Sequence, residues 1–444
     1  MKNYLFSLAL LACGIFIGTA QQVQFEEFDL DNGLHVIMHQ DNSAPVITVG
    51  AMNDVGGKDN GGDDNPERTG FAHFFEHLLA SGPTKNIEKG TWRGIRAEHG
   101  GNGNANTTID RTYYYQTFPS NNLELALWMQ SERMLHPIID QDAVDTQNEV
   151  VKEERRLRVD NSPYGRILEN INKNLFGGHP YQVSVLGEMA HLDAATLEEF
   201  QAYFEKWYVP SNTVLVVAGD IDYDKTKKLI HDYFDEIEAG PKPVRNFPEI
   251  KPITETIRTK VYDPNIQIPL ILACYQIPPQ TERDNYVLSM VSSYLSQGKS
   301  SVLYKKLVDE QKQALQVQAL NLSQRDGGIY AFYALPVGDA SLADLLAEMD
   351  EEIVKMQNEL ISEKDYEKLQ NQFESQFVNS NSSIQGVASS LVTYYMLYDD
   401  VNLINTQLEI YRSITREEIQ AVVKKYLNPN QRVEIEYLPE SKEN

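Results

Sequence analysis

The chain contains the stretch Gly70-Phe-Ala-His73-Phe-Phe-Glu76-His77, and the spacing of its two histidines decides how the rest of the sequence is interpreted. The surrounding apolar residues predict a helix over 70–81. Residues four apart lie on the same face of a helix, so His73 and His77 can direct two imidazoles at one metal ion, for which Zn²⁺ is the usual choice. Glu76 lies at the edge of this face, where its carboxylate can reach a water molecule on the metal rather than the metal itself.

The order His-x-x-Glu-His is a known zinc-peptidase pattern, written in reverse of the commoner one. A catalytic zinc site also needs a third protein ligand and an open position. The segment 147–156 is predicted to be helical and supplies several carboxylates, among them Glu153 and Glu154. These two project about 100° apart, so only one can face the metal, and periodicity leaves the choice open. The alternative without a metal is a helix that carries two partly buried histidines.

Outside this segment, the chain is predicted to consist of two similar halves. The segment Thr196–Pro210 resembles Thr415–Pro429, and every matched pair is separated by the same distance along the chain. Each copy opens with a threonine followed three residues later by a glutamate, Thr196/Glu199 and Thr415/Glu418, which predicts a capping box at the start of both helices. An offset near half the chain length indicates duplication of one α+β domain. Two unrelated capped helices are the alternative.

Helix and strand patterns alternate in both halves. The predicted helices are 70–81, 121–135, 143–158, 196–207, 222–234, 283–296 and 339–377, and the predicted strands are 23–30, 34–39, 46–52, 214–218, 268–275 and 432–437. The proline-rich segment 239–252 is the best linker candidate. The sequence therefore predicts an α+β fold with two homologous domains, 21–238 and 253–444.

Residues 1–20 have the pattern of a secretory signal peptide. Lys2 precedes an apolar run that ends in the small residues Gly18-Thr19-Ala20. The run is about 14 residues long, which is too short to span a bilayer, and no later stretch predicts a membrane span. We therefore expect an exported protein, periplasmic or secreted, with lipoprotein modification at Cys13 as the alternative. The chain has only two cysteines, which excludes a disulfide framework.

The composition excludes some functional classes. Hydrophobic residues make up 41% of the chain and charged residues 23%, as is typical of globular proteins. Acidic residues outnumber basic residues 64 to 39, which gives a net charge of −25. Non-specific binding to DNA or RNA needs a basic surface, so we expect no nucleic-acid partner.

The His73–His77 motif and its flanking residues resemble the M16 family of zinc peptidases, which includes pitrilysin, insulin-degrading enzyme and mitochondrial processing peptidase. The resemblance covers about 25–440 and rests on several further segments: Asn32-Gly-Leu34, Gly100–Thr107, His179-Pro-Tyr181, Tyr208–Asn212 and Gly219-Asp220. The chain length and the internal repeat are similar to the short, two-domain M16B type. This resemblance implies that each domain is an antiparallel-rich sheet packed with helices.

The same resemblance implies roles for individual residues. The third zinc ligand of the family corresponds here to Glu154, with Glu153 as the second choice, and Glu76 corresponds to the general base. The family often has a supporting glutamate two helical turns before the third ligand, where this chain has Gln147. The family's substrate-binding strand corresponds to the stretch around Asn104 and Ala105, where a peptide adds as an extra β-strand; a flexible loop is the alternative for this stretch.

The resemblance implies a zinc-dependent endopeptidase that hydrolyses peptides or unfolded segments. Active members also place an arginine, and a tyrosine seven residues later, in the second domain or in a partner chain. The matching positions here are Val308 and Leu315. We therefore expect a second M16-like subunit that supplies the pair in a heterodimer, with a homodimer as the alternative. The alternative function is a non-catalytic zinc-binding scaffold subunit of such a complex.

Overall fold

The structure is a computed structural model that describes residues 22–60 and 68–440. The predicted signal peptide, 1–20, and Cys13 lie outside the described residues. Among the described residues, no helix combines the length and the apolar character needed to cross a membrane.

The first half of the chain forms a six-stranded sheet in the order β1-β2-β6-β3-β5-β4. Its strands are β1 (Glu26–Asp29), β2 (His35–Gln40), β3 (Val46–Asn53), β4 (Asn102–Thr107), β5 (Thr112–Pro119) and β6 (Thr213–Gly219). Strands β2 and β6 are parallel, and the other neighbours are antiparallel. Every residue of β6 is buried, because helices cover both faces of the sheet at its centre. Strand β4 lies at one edge of the sheet.

The helices of the first half are α1 (Phe71–Ser81), α2 (Trp92–Glu98), α3 (Leu123–Leu135), α4 (Gln141–Arg155), α5 (Ile167–Leu175), α6 (Met189–Ala194), α7 (Leu197–Trp207) and α8 (Tyr223–Phe234). Helices α3 and α8 pack on one face of the sheet and share an apolar core with it. Helix α1 packs against β4, β5 and α4 beside that core. Helix α4 continues into a π-helical segment, Arg156–Asp160.

The second half repeats this topology with one strand fewer. Its strands are β7 (Ile257–Asp263), β8 (Leu270–Ile277), β9 (Ala314–Leu322), β10 (Gly328–Pro336) and β11 (Val433–Pro439), in the order β7-β11-β8-β10-β9. Its helices are α9 (Arg283–Ser296), α10 (Leu342–Asn358), α11 (Glu363–Ser380), α12 (Ile384–Tyr398), α13 (Leu403–Ser413) and α14 (Arg416–Tyr426). Strands β7 and β11 are parallel, as β2 and β6 are in the first half. The α+β architecture with two similar halves is therefore confirmed.

The two halves exchange helices. Helix α12 of the second half packs on β3 and β6, where residues such as Leu391 and Val392 share a core with Ile37 and Val216 of the first sheet. Helix α5 of the first half packs on β8 and β11 of the second sheet. Each sheet is thus covered on one face by its own helices and on the other by a helix of the other half. The intervening segment 239–252 contains neither helix nor strand.

Two local predictions need correction. The single helix predicted over 339–377 is two helices, because the Ser362 side chain accepts a hydrogen bond from Asp365 N–H and starts α11, while Ile361 turns into the core. Thr415 caps α14, but the Glu418 carboxylate does not return the bond that a capping box requires. It binds the Arg283 guanidinium instead, with an Oε1–Nε distance of 2.5 Å.

Candidate metal centre and active site

The two histidines of the sequence motif meet a carboxylate from α4. The His77 Nε2 atom lies 3.3 Å from His73 Nε2 and 2.8 Å from Glu154 Oε2, and His73 Nε2 lies 3.5 Å from the same oxygen. One ligand atom from each residue fits within 4.8 Å of the others. Within residues 22–60 and 68–440, this is the only group of three or more such side chains with that geometry.

Helix α1 is held by hydrogen bonds from buried donors on the neighbouring elements. The Tyr114 hydroxyl of β5 donates to the Phe75 carbonyl at 3.0 Å, and Arg133 Nε of α3 donates to the Leu79 carbonyl at 2.9 Å. Phe75 stacks on Tyr203 of α7, and Phe74 packs at a tilted angle against Phe200 of the same helix. These contacts fix the rotation of α1 about its axis, so its histidine face points towards α4.

A close approach of two glycines aligns α1 with α4. Gly70, which begins α1, and Gly187, which precedes α6, both have positive φ angles, 89° and 69°. A Cβ atom on Gly187 would lie 2.5 Å from the Gly70 Cα atom, so only glycine fits there. Arg155 then donates to the Gly187 carbonyl at 2.7 Å. Because Arg155 follows Glu154 directly, this bond places the carboxylate opposite the two imidazoles.

The donor set fits a zinc ion. Burial, followed by the nearby charges of His77 and Arg158, lowers the pKa of His73 to about 3. Its imidazole is therefore neutral at physiological pH and offers a lone pair to a metal. Two imidazoles and one carboxylate are the ligands of many catalytic zinc sites, which keep the fourth position open. In many zinc sites, the second ring nitrogen of a ligating histidine forms a hydrogen bond that orients the ring. The His73 Nδ1 atom is buried and has no hydrogen-bond partner among the described residues, so that bond is absent from this part of the structure.

The structure separates the two carboxylates that periodicity left open. Glu154 Oε2 faces the histidines, and Glu154 Oε1 pairs with Arg158 at 2.8 Å. Glu153 is exposed and pairs with Arg156 at 3.1 Å, away from the histidines. Sequence reasoning missed Arg158, although its spacing of four residues from Glu154 on a predicted helix was a usable signal.

Glu76 lies beside the three-residue group and is half-buried. Burial raises its pKa, while a hydrogen bond from the Thr107 hydroxyl and the charges of His77 and Arg111 oppose this rise. Thr107 is the last residue of β4. Sequence reasoning did not single out Thr107. A usable signal was its position two residues after Ala105, because side chains two residues apart lie on the same face of a strand.

Among the described residues, strand β4 pairs only with β5, which leaves its other edge free next to α1. Thr108 N–H donates to the Arg111 carbonyl, which sets the alternation of paired and outward-facing residues along the hairpin. By this alternation the main-chain groups of Ala105 point out from the sheet, whereas those of Asn104 face Tyr115 of β5. The exposed side chain of Asn104 lies on the face opposite to α1. The two predicted substrate-binding residues thus occupy the edge strand in different orientations.

Three further positions were singled out from the sequence. Gln147 is buried on α4. Val308 lies in the π-helical segment Tyr304–Glu310 and packs against the second core. Leu315 is exposed on β9. The apolar character of Val308 and Leu315 leaves both positions without a charge or hydroxyl.

Comparison with known proteins places this geometry in a family. Residues 36–188 match the family model described as insulinase (peptidase family M16), and residues 194–373 match the model described as peptidase M16 inactive domain. Together the two matches span well over half of the chain. The chain belongs to the M16 peptidase family.

Individual relatives agree with this assignment. The chain is similar to the zinc protease PqqE of Helicobacter pylori, with 26% identity over 91% of each chain. Among solved structures, it is similar to a protease from Helicobacter pylori (TM-score 0.87, 24% identity, 94% of this chain and 100% of the other). It is also similar to the first half of the periplasmic protease PqqL from Escherichia coli (TM-score 0.76, 18% identity, 94% and 92%). The structural likenesses confirm the two-domain M16 fold.

Proposed function

We propose that the chain is a zinc-dependent endopeptidase, or the catalytic subunit of one, with His73, His77 and Glu154 as the zinc ligands. The observation that carries this proposal is the convergence of three ligand atoms beside Glu76 and the free edge of β4. A scaffold that only bound zinc would not need a carboxylate at Glu76. The zinc-protease name of the Helicobacter relative supports the same function.

The proposed mechanism assigns separate tasks to these side chains. A zinc ion bound there would supply a Lewis acid that lowers the pKa of water and polarises a scissile carbonyl. Glu76 accepts the proton of the attacking water and delivers it to the leaving amine. Its partial burial favours this task, because a raised pKa brings the carboxyl closer to the working pH. Thr107 presents its hydroxyl group to this carboxylate.

The free edge of β4 is the proposed peptide site. The outward main-chain groups of Ala105 can pair with an extended peptide, which would then lie next to Glu76. The exposed Asn104 side chain is available to hold the same peptide from the rim of the sheet. Binding through main-chain groups depends little on sequence, so we expect broad specificity for extended or unfolded segments.

A second M16-like subunit is proposed as partner. The side chains of Val308 and Leu315 cannot donate a hydrogen bond or supply a charge to a substrate, and the loss of one such donor lowers rates by about 10²–10³. Another chain would then supply the arginine and tyrosine, with a homodimer as the second possibility. The match of 194–373 to an inactive M16 domain is compatible with this division of labour. The same match is also compatible with the alternative function, a non-catalytic scaffold subunit that binds zinc.

We also propose export to the periplasm or beyond. The support is the signal pattern of residues 1–20 and the periplasmic title of the Escherichia coli neighbour. Lipoprotein anchoring through Cys13 is the alternative. Mass determination of the N-terminus of the mature protein, isolated from its source cells, distinguishes cleavage after Ala20 from a lipidated Cys13.

The test of the proposed function is hydrolysis of a quenched fluorescent peptide library by the zinc-loaded chain, with Glu76→Gln as the matched variant. We expect the variant to keep one bound zinc per chain and to lose activity by about 10²–10⁴-fold. Equal activity of both proteins would overturn the assignment of Glu76.

Zinc content separates the remaining outcomes. If both proteins bind zinc and neither hydrolyses peptides, the scaffold and heterodimer alternatives remain, and tagged purification from source cells decides between them. Recovery of a second M16-like chain that restores activity supports the heterodimer. If His73→Ala and His77→Ala bind zinc as tightly as the unaltered chain, the proposed centre is wrong.

A further inference from the structure

The turn between β9 and β10, which carries Arg325 and Asp326, docks onto the first half of the chain. Arg325 Nη1 donates to Asp54 Oδ1 at 2.5 Å, and Asp326 Oδ2 pairs with Lys58 Nζ at 3.0 Å. The Lys58 side chain is only 1% exposed. This contact therefore places buried charges of one half directly against charges of the other.

Both docked residues converge on Asp110, which lies in the turn between β4 and β5. Lys58 Nζ binds Asp110 Oδ1 at 2.8 Å, and the Tyr181 hydroxyl donates to the same oxygen at 2.6 Å. Arg325 N–H donates to Asp110 Oδ2 at 3.0 Å, and Asp326 N–H donates to the Tyr181 hydroxyl at 2.9 Å. Each oxygen of Asp110 is thus bound, one by groups of the first half and the other by the second half.

The turn that Asp110 fixes leads directly to the proposed active site. Arg111, the next residue, donates through Nη1 to the Asn106 carbonyl of β4 at 3.0 Å. Thr107, which follows Asn106, presents its hydroxyl to the Glu76 carboxylate. The first half also supports this turn through main-chain bonds from Gly57 and Lys58. The charged contacts from the second half act on the same turn from its other side.

Buried ion pairs are a poor way to gain stability, because desolvation offsets most of their attraction. Their distinctive property is that they enforce one geometry, since a displaced charge is left unpaired in a low-dielectric region. A network of this kind at the end of the edge strand sets the position of that strand relative to α1.

We infer that Arg325 and Asp326 are positioning residues for the active site: through Lys58 and Asp110 they fix the β4–β5 turn, and with it Thr107 and the substrate edge. The second half, which has no metal ligands at the site, thereby sets the geometry of chemistry performed in the first half. The inference rests on the proposed function, because the reaction that it affects is the proposed peptide hydrolysis.

The test compares Asp326→Asn with Asp350→Asn in the full zinc-loaded chain. The two carboxylates are matched, since Asp326 is 35% exposed and pairs with buried Lys58, while Asp350 is 24% exposed and pairs with buried Arg432. Asp350 contacts only the second half in this pair and does not reach β4. We expect similar small losses of thermal stability in both variants.

Only Asp326→Asn should change the site. We expect its kcat to fall by about tenfold to a hundredfold, with a smaller change in KM and an unchanged zinc stoichiometry. Asp326→Glu, which retains the charge, should recover part of the lost kcat. Equal effects of Asp326→Asn and Asp350→Asn on kcat, after correction for folded fraction, would contradict the inference.

Amide hydrogen exchange provides a readout that does not need activity. Asp326→Asn should speed exchange across 102–112, whereas Asp350→Asn should leave that segment unchanged. If the unaltered chain hydrolyses no peptide, alone or together with a second M16-like chain, the proposed function fails while this comparison still tests the coupling. If exchange across 102–112 is the same in both variants, the coupling itself is absent.

Discussion

At the scale of single residues, Glu153 and Glu154 have opposite surroundings although they are adjacent in sequence. Glu154 faces the two imidazoles, whereas Glu153 pairs with exposed Arg156. We predict that Glu154→Gln weakens zinc binding by at least about a hundredfold, because a neutral amide replaces a charged ligand. Competition with a fluorescent zinc chelator measures the two dissociation constants.

Glu153→Gln is the control for that measurement. Its carboxylate forms only an exposed ion pair, which contributes about 0–1 kcal/mol to stability. We expect its zinc affinity to stay within about twofold of that of the unaltered chain. A similar weakening in both variants would mean that charge near the site, and not ligation by Glu154, governs zinc affinity.

Residue patterns predict which side chains belong to the candidate site better than they predict the contacts that hold those side chains in place. The spacing of His73 and His77 depends only on helix geometry, so the sequence alone predicts that their side chains share one face of α1, as the structure has them. The choice of Glu154 over Glu153 required the family resemblance. The pattern of polar and apolar residues on α4 does not determine which of these two adjacent carboxylates faces α1. The contacts of Asp110 with Arg325 could not be predicted, since they join positions far apart in sequence.

At the scale of elements, the start of α1 depends on the contact between Gly70 and Gly187. We predict that Gly187→Ala lowers the free energy of unfolding by about 2–4 kcal/mol, because strain at positive φ adds to a clash with the Gly70 backbone. The displaced helix should also bind zinc more weakly. Chemical denaturation and zinc competition measure the two effects.

Gly298→Ala is the control that separates the two causes, backbone strain at positive φ and the clash with a neighbouring backbone. Gly298 has a φ angle of 78°, and a Cβ atom there meets nothing within 4 Å. We expect a loss of about 1–2 kcal/mol from backbone strain alone and no change in zinc affinity. If Gly298→Ala and Gly187→Ala are equally destabilising, the close approach of the two glycines does not contribute.

The ends of a helix are predicted well from the sequence where residues close in sequence determine them. Thr196 and Glu199 form the complete capping box that the sequence indicated, with bonds in both directions. The corresponding box at Thr415 is incomplete because Arg283, distant in sequence, competes for Glu418. The helices α12 and α13 were not predicted at all. Their apolar residues face the other half or other helices, so their pattern makes sense only in the assembled fold.

At the scale of the whole molecule, the exchange of α5 and α12 joins the two halves into one unit. We predict a single calorimetric unfolding transition for the described chain, because neither sheet can bury both faces without the other half. The ratio of calorimetric to van't Hoff enthalpy should be close to one. Two resolved transitions would show that each half has an independent core.

The same exchange has a consequence for synthesis. The face of the first sheet that α12 covers includes Val214 and Val216, which are made long before residues 384–398. At ordinary elongation rates this apolar face waits on the order of 10–30 s for its cover. Val23, which precedes β1, likewise donates its main-chain N–H to Asn405 Oδ1 at 2.8 Å, so the start of the first half also waits for the second. A nascent first half therefore exposes apolar surface and is prone to aggregation. We expect chaperones to bind it in the cell until α12 has been synthesised.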